Sequence, residues 1–85
     1  DPASAELKAT LNTWLNCFGH QQNTAEALGI HRNTLSYRLK RIEERLGYAL
    51  QDPYQRLNLQ NALLIEQILF QHHNIESQIN ERDPL

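Results

Sequence analysis

The chain has 85 residues with 40% hydrophobic side chains, one cysteine and a formal net charge of −2. The length predicts one folded domain with a modest core, and the single cysteine excludes an internal disulfide. The negative net charge argues mildly against a nucleic-acid-binding protein, because such proteins are usually basic. No apolar stretch approaches the ~20 residues that span a bilayer, and residues 1–4 lack the basic and apolar parts of a secretory signal, so we expect a cytoplasmic protein without membrane contact.

The first predicted helix runs from Ala5 to Phe18, and Gly19 supplies its stop. We interpret residues 1–4 as a linker remnant outside a domain that covers residues 5–71. The apolar residues of this helix recur at helical spacing and predict its buried face: Leu7, Leu11, Trp14, Leu15 and Phe18.

A second, short helix is predicted between His20 and Leu28, because Gly29 closes it. Asn23 and Glu26 have the spacing of a capping box, but a helix that begins there has barely more than one turn. A start near His20 is therefore favoured.

The third helix follows His31 and ends at Gly47. Its predicted buried stripe consists of Leu35, Leu39, Ile42 and Leu46. At 100° per residue the opposite face is polar and basic, and no acidic residue stands between Glu26 and Glu43. The candidate DNA-contacting residues are His31, Arg32, Asn33, Thr34, Ser36, Tyr37, Arg38, Lys40 and Arg41. A solvated helix face also produces such a cluster, so charge alone does not decide the function.

A fourth helix is predicted to begin at Asp52 and Pro53, an N-cap followed by proline at the first helical position, and to run to about Phe70. Residues 72–85 are interpreted as a frayed polar tail. The face predicted to be buried carries Tyr54, Leu57, Leu64, Ile65 and Ile68. The nearly opposite face carries Leu59, Leu63 and Phe70, which we expect to contact a second copy or another region of a longer chain.

No strand-like alternation is present, so the sequence predicts an all-α domain of four to five helices without a β-wing. The spacing of Ala25, Gly29, Ile30 and Leu35 is typical of a helix-turn-helix, in which a small residue and a glycine allow a tight junction between two helices. Together with the basic outer face of the third helix, it indicates a sequence-specific binder of double-stranded DNA.

Two segments resemble a known family: GIHRNTLSYRLKRIEE at residues 29–44 and RLNLQNAL at residues 56–63. Both are similar to the C-terminal domain of the purine-catabolism and sugar-diacid regulators of the PucR/CdaR type, and the first also resembles the recognition segment of Fis-type proteins. The resemblance implies a bacterial transcription regulator, usually an activator, with a preceding sensor region for a small metabolite such as a sugar diacid. Gly47-Tyr48-Ala49 departs from the family, which tends to have an aliphatic residue after the glycine.

The alternatives are weaker. His20, His31, His72 and His73 have no carboxylate or cysteine at a spacing that would complete a metal site, so we expect neither a metal nor another cofactor. No glycine elbow, phosphate loop or carboxylate pair points to an enzyme. The rival function is a helical protein-interaction module, for which the second apolar stripe of the last helix is the evidence. If the domain binds DNA, we expect the full-length protein to be a homodimer.

Overall fold

The structure is a computed structural model that describes the backbone of residues 1–82 and the side chains up to residue 71. It contains four helices: α1 (Pro2–Asn16), α2 (Gln21–Leu28), α3 (Arg32–Leu46) and α4 (Pro53–Arg82). No strand occurs in residues 1–82, which confirms the predicted all-α class without a wing.

Helix α1 lies in the middle of the domain and packs against each of the other three helices. Trp14 of α1 and Leu35 of α3 are completely buried, and they form the centre of the core. The core also includes a residue from the loop between α3 and α4, Leu50, whose backbone N–H donates to Glu43 Oε2 at 2.8 Å. The predicted stripes of α1 and α3 thus supply most of the core, whose buried hydrophobic members are Trp14, Leu15, Ala25, Leu35, Leu39, Ile42 and Leu50.

Helix α1 begins three residues earlier than predicted, so residues 2–4, which were interpreted as part of a linker remnant, form its first turn. Asp1 is the N-cap, and its carboxylate accepts from the backbone N–H of Ala3 at 3.2 Å. An aspartate followed by proline is the same start signal that predicted the beginning of α4.

Phe18 was predicted to be buried with the α1 stripe, and this prediction is wrong, since 69% of the residue is exposed. The helix has already ended at Asn16, and Phe18 has a φ of +53° in the left-handed turn that follows. The N–H of Gly19 donates to Trp14 O at 2.9 Å and closes this turn. Helical spacing does not extend through such a turn, so Phe18 leaves the stripe.

Helix α4 was predicted to end near Phe70, but it continues to Arg82. Residues 72–82 of the predicted frayed tail are therefore helical, and residues 83–85 lie outside the described residues. Between Pro53 and Pro84 the sequence contains neither glycine nor proline, so nothing in this stretch interrupts the backbone hydrogen bonds of the helix.

The two apolar faces of α4 were separated correctly, but the prediction of which face is buried is wrong. Leu59 and Leu63 are half-buried and pack against the core, so they already have partners inside the domain. Phe70 lies beyond them and is exposed. The face that was predicted to be buried is between 54% and 71% exposed, and it carries Tyr54, Leu57, Leu64, Ile65 and Ile68.

Polar side chains on the Leu59 face explain this orientation. Gln60 Nε2 donates to Leu15 O at 2.7 Å, and Arg56 donates to Phe18 O. The carbonyls at the C-terminal end of a helix lack partners within that helix and need donors from elsewhere. Gln60 donates to the last turn of α1, where Leu15 O also accepts from the N–H of Phe18, and Arg56 donates to the turn that follows α1. Together they hold the Leu59 face of α4 against α1.

Candidate nucleic-acid interface

The turn between α2 and α3 has the tight geometry that the sequence predicted. Gly29 has a φ of +68° and a ψ of +34°, and the N–H of Ile30 donates to Ala25 O at 3.0 Å. A Cβ atom at Gly29 would meet nothing within 4 Å, so the constraint on this position is the backbone conformation and not the space. Ala25 is buried, and its small side chain lets α3 pack closely on α2.

A histidine caps the N-terminus of each helix of this pair. His20 Nδ1 accepts from the backbone N–H of Asn23 at 3.2 Å, and His31 Nδ1 accepts from the N–H of Asn33 at 3.0 Å. The start of α2 at His20 is thus confirmed, and the alternative start at Asn23 is excluded. His31 was predicted to contact DNA. Its first role in the structure is to cap α3, because Nδ1 satisfies one of the free amides of the first turn.

Four of the predicted contact residues are exposed on the outer face of α3, opposite its buried stripe: Asn33, Tyr37, Lys40 and Arg41. Arg41 is held in place by its neighbours, since Nη1 donates to the Tyr37 hydroxyl at 3.0 Å and Nε lies 3.9 Å from the Glu44 carboxylate. Its guanidinium carbon is 5.9 Å from the centre of the Tyr37 ring. These contacts order a long cationic side chain on the outer face.

Arg38 lies on a different side of α3. Its Nε is 3.3 Å from Glu6 Oε1 on α1, and its side chain is only 20% exposed. Arg45 is similarly directed, because its Nη1 donates to Ser4 Oγ at 2.9 Å. Both cations tie α3 to the first turns of α1, and Arg38 lines the same groove between α1 and α3 as Tyr37 and Arg41.

The remaining predicted residues flank the outer face. Thr34 lines a groove of about 320 Å³ between α3 and α1, together with Tyr37 and Arg41. Ser36 is exposed on the other flank, at the edge of a small cavity that Gln21 and Leu39 also line. The N-terminal half of α3 therefore presents small polar side chains on both sides of Asn33 and Tyr37.

The sequence model for the PucR C-terminal helix-turn-helix domain matches residues 7–65. The chain belongs to this family. The resemblance found in the sequence is thereby confirmed.

Three relatives illustrate the match. The chain is 38% identical over 63 residues to the purine catabolism regulatory protein of Bacillus subtilis, which is 74% of this chain and 12% of that protein. It is 43% identical over 61 residues to the carbohydrate diacid regulator of Escherichia coli, or 72% and 16% of the two chains. It is 51% identical over 47 residues to the transcriptional activator PmfR of Paenarthrobacter nicotinovorans, and this match covers 55% of this chain and 10% of that protein. The chain thus spans a small part of each. No solved structure significantly matches it.

Sequence reasoning did not single out two residues of the PucR-type domain that lie beside Arg32. Gln21 and Gln22 are exposed in the first turn of α2, and they line a groove of about 540 Å³ that Arg32 also lines. Arg32 is thereby placed next to α2, away from Tyr37 and Arg41. The signal was available in the sequence, because two amide side chains directly follow the cap residue of the helix that crosses the DNA backbone in this motif.

Within residues 1–82, no helix combines the length and the apolar character that crossing a membrane requires. Among the described residues, no three histidine, cysteine, aspartate or glutamate side chains come together where they could share a metal ion.

Proposed function

We propose that this domain binds a specific double-stranded DNA sequence by placing the N-terminal half of α3 in the major groove. The observation that carries the proposal is the composition of the outer face, where Asn33, Tyr37, Lys40 and Arg41 are all exposed. This face belongs to the helix that follows the tight turn at Gly29. A major groove about 12 Å wide admits one α-helix, and hydrogen-bonding side chains on the exposed face then meet the edges of the bases.

The position of each residue along α3 suggests its role. Asn33, Thr34 and Tyr37 lie in the first two turns, which enter the groove most deeply, so we assign base contacts to them. The Asn33 amide can pair with both hydrogen-bonding atoms of an adenine edge. Lys40 and Arg41 lie farther along the helix, where phosphates are the nearest acceptors, and we assign backbone contacts to them.

The flanking residues fit contacts to the DNA backbone or to neighbouring bases. Arg32 can form a bidentate contact with guanine or with a phosphate, and Gln22 lies close enough to support the same strand from α2. His31 and Ser36 are exposed at the edges of this surface and complete the assigned set. Arg38 is reassigned to the packing of α3 on α1, because its guanidinium is already paired with Glu6.

The charge distribution supports the same docking. The whole chain has a net charge of −2, but residues 27–42 contain basic side chains and no acidic one. Glu44 stands on the outer face toward the C-terminal end of α3, where its carboxylate would repel phosphates. The basic part of the helix therefore approaches the DNA while the acidic part stays away from it.

The regulatory setting is proposed from the relatives. Their names describe a purine catabolism regulator, a carbohydrate diacid regulator and a transcriptional activator, and this chain spans only 12%, 16% and 10% of them. We propose that the complete protein is a cytoplasmic activator that acts as a dimer, and that another region of it senses a small metabolite such as a sugar diacid.

Selection of bound sequences from a random duplex pool tests the DNA-binding function. We expect enrichment of one motif, and titration of the enriched duplex should show affinity that falls steeply with salt concentration. The second candidate is a protein-interaction module, which the exposed apolar face of α4 favours. A domain that enriches no motif and binds no duplex at low salt would support that alternative.

A further inference from the structure

One face of α4 carries an apolar seam that nothing in the described domain covers. We call Tyr54, Leu57, Asn61, Leu64 and Ile68 the outer seam; all of them are exposed. Along the chain they are separated alternately by three and by four residues. This alternation matches the spacing of positions a and d in a two-stranded coiled coil, where these positions meet the same positions of a partner helix.

The area of the outer seam suffices for a specific contact. Its four large apolar side chains are between 54% and 71% exposed, and Ile65 next to them is 58% exposed. These side chains present on the order of 600 Å² of apolar surface in each copy. Two copies together present about 1,200 Å², which is comparable with the lower end of the area that specific, stable interfaces bury.

The charges near the seam favour a second copy of the same chain as the occupant. None of the seam residues is charged, so two identical seams meet without repulsion. The charged residues in positions 53–71 of α4 are Arg56 and Glu66. At 100° per residue both lie on the side that faces away from the seam, and Arg56 donates to Phe18 O of α1. A charged partner would therefore find no complementary group on this face.

Asn61 determines how the two helices align. It is the polar residue in the middle of an otherwise apolar or aromatic seam, and a buried side-chain amide needs a hydrogen-bond partner. In a parallel, in-register pair the amide of one copy meets the same amide of the other and satisfies it. A single asparagine at position a sets the register and the two-stranded state of coiled coils at some cost in stability.

We propose that α4 pairs with α4 of a second copy through the outer seam, as a parallel, in-register, two-stranded coiled coil with the two Asn61 side chains in contact. The core-facing side of α4, with Leu59 and Leu63, stays within each copy. This goes beyond DNA binding, and it replaces the dimer contact that the sequence predicted on the opposite face. The two copies of α3 would then be related by a two-fold axis along α4, which calls for a near-palindromic binding site.

Sedimentation equilibrium of the 85-residue chain without DNA tests the pairing. We expect a monomer–dimer equilibrium with dimers dominant at about 500 µM. Leu64→Asp should weaken the dimer at least about a hundredfold, because pairing would bury an uncompensated carboxylate in each copy. The matched control is Phe70→Asp, which places the same charge at an exposed apolar position on the other face of α4 and should leave the dimer unchanged. Circular dichroism confirms that both variants are folded.

Two substitutions of Asn61 test the register. Asn61→Leu should tighten self-association at least about tenfold and add higher oligomers, because it removes the polar residue that specifies two strands. Asn61→Cys, in a chain with Cys17→Ser, should form a disulfide-linked dimer upon oxidation. A wild-type chain that stays monomeric at the highest concentration, or one whose dimer survives Leu64→Asp, overturns the pairing. Dimers that fail to cross-link through Asn61→Cys overturn the parallel register. Because no DNA is present, failure of the pairing is distinguishable from failure of DNA binding.

Discussion

Asn33 and Lys40 offer the sharpest test of how α3 meets DNA. Both side chains are exposed on the same face, and within the described residues neither side chain makes a hydrogen bond or ion pair. The capping bond at Asn33 uses its backbone N–H, so alanine retains it. Replacement of either residue by alanine should therefore change the free energy of unfolding by no more than about 0.5 kcal/mol. Any larger change in DNA affinity then reports a lost contact with DNA.

The expected magnitudes follow from the position of each residue. Lys40 stands seven residues after Asn33, which is about 10 Å farther along the helix axis. Asn33→Ala should weaken binding to the preferred site by about 1–3 kcal/mol, roughly 5-fold to 150-fold, and leave binding to random duplex nearly unchanged. Lys40→Ala should weaken binding to both duplexes alike and lower the salt slope by about 0.9, because one fewer phosphate is neutralised.

Fluorescence anisotropy titrations of the wild type and both variants, on the preferred and a random duplex, measure these quantities. Between 50 and 200 mM salt, the affinity of Lys40→Ala should fall about 3.5-fold less than that of the wild type. If Asn33→Ala lowers both affinities equally while Lys40→Ala changes the preference between duplexes, the proposed docking of α3 is refuted.

Three further predictions concern the fold around this surface. Arg38→Ala should flatten the salt dependence of DNA binding less than Lys40→Ala does, and a slope change as large as that of Lys40→Ala would place Arg38 at the phosphates instead. In thermal unfolding, a double-mutant cycle of Arg38→Ala with Glu6→Ala should give a coupling of about 0.2–1 kcal/mol. His31→Ala should cost about 1 kcal/mol of stability in urea unfolding because the N-cap acceptor is lost, whereas His31→Asn should retain most of it; equal losses would argue against the cap. At low protein concentration, Leu59→Ala should lower the free energy of unfolding by about 1–2 kcal/mol, and Leu64→Ala should lower it by no more than about 0.5 kcal/mol. The reverse order would mean that the Leu64 face of α4 packs on the core.

The helix-turn-helix could be predicted from the sequence because its signals are local. Gly29 and Gly47 end their helices with positive φ, and the spacing of Leu35, Leu39 and Ile42 fixes which face of α3 is buried. Once that stripe faces the core, the exposure of Asn33 and Tyr37 follows from 3.6 residues per turn. The same kind of local signal, aspartate followed by proline, stood at the beginning of α1 and was not used there.

Partners from distant parts of the chain had to be found in the tertiary structure. Helical periodicity placed Arg38 beside the buried edge of α3, but only the packing of α1 shows that Glu6 is its partner, 32 positions away in the chain. The inner face of α4 was predicted wrongly for the same reason, because periodicity separates two apolar faces without ranking them. What decides between them is the end of α1 and the turn after it, where Leu15 O accepts a hydrogen bond from Gln60 and Phe18 O accepts one from Arg56. These bonds turn Leu59 and Leu63 inward and Leu57 and Leu64 outward.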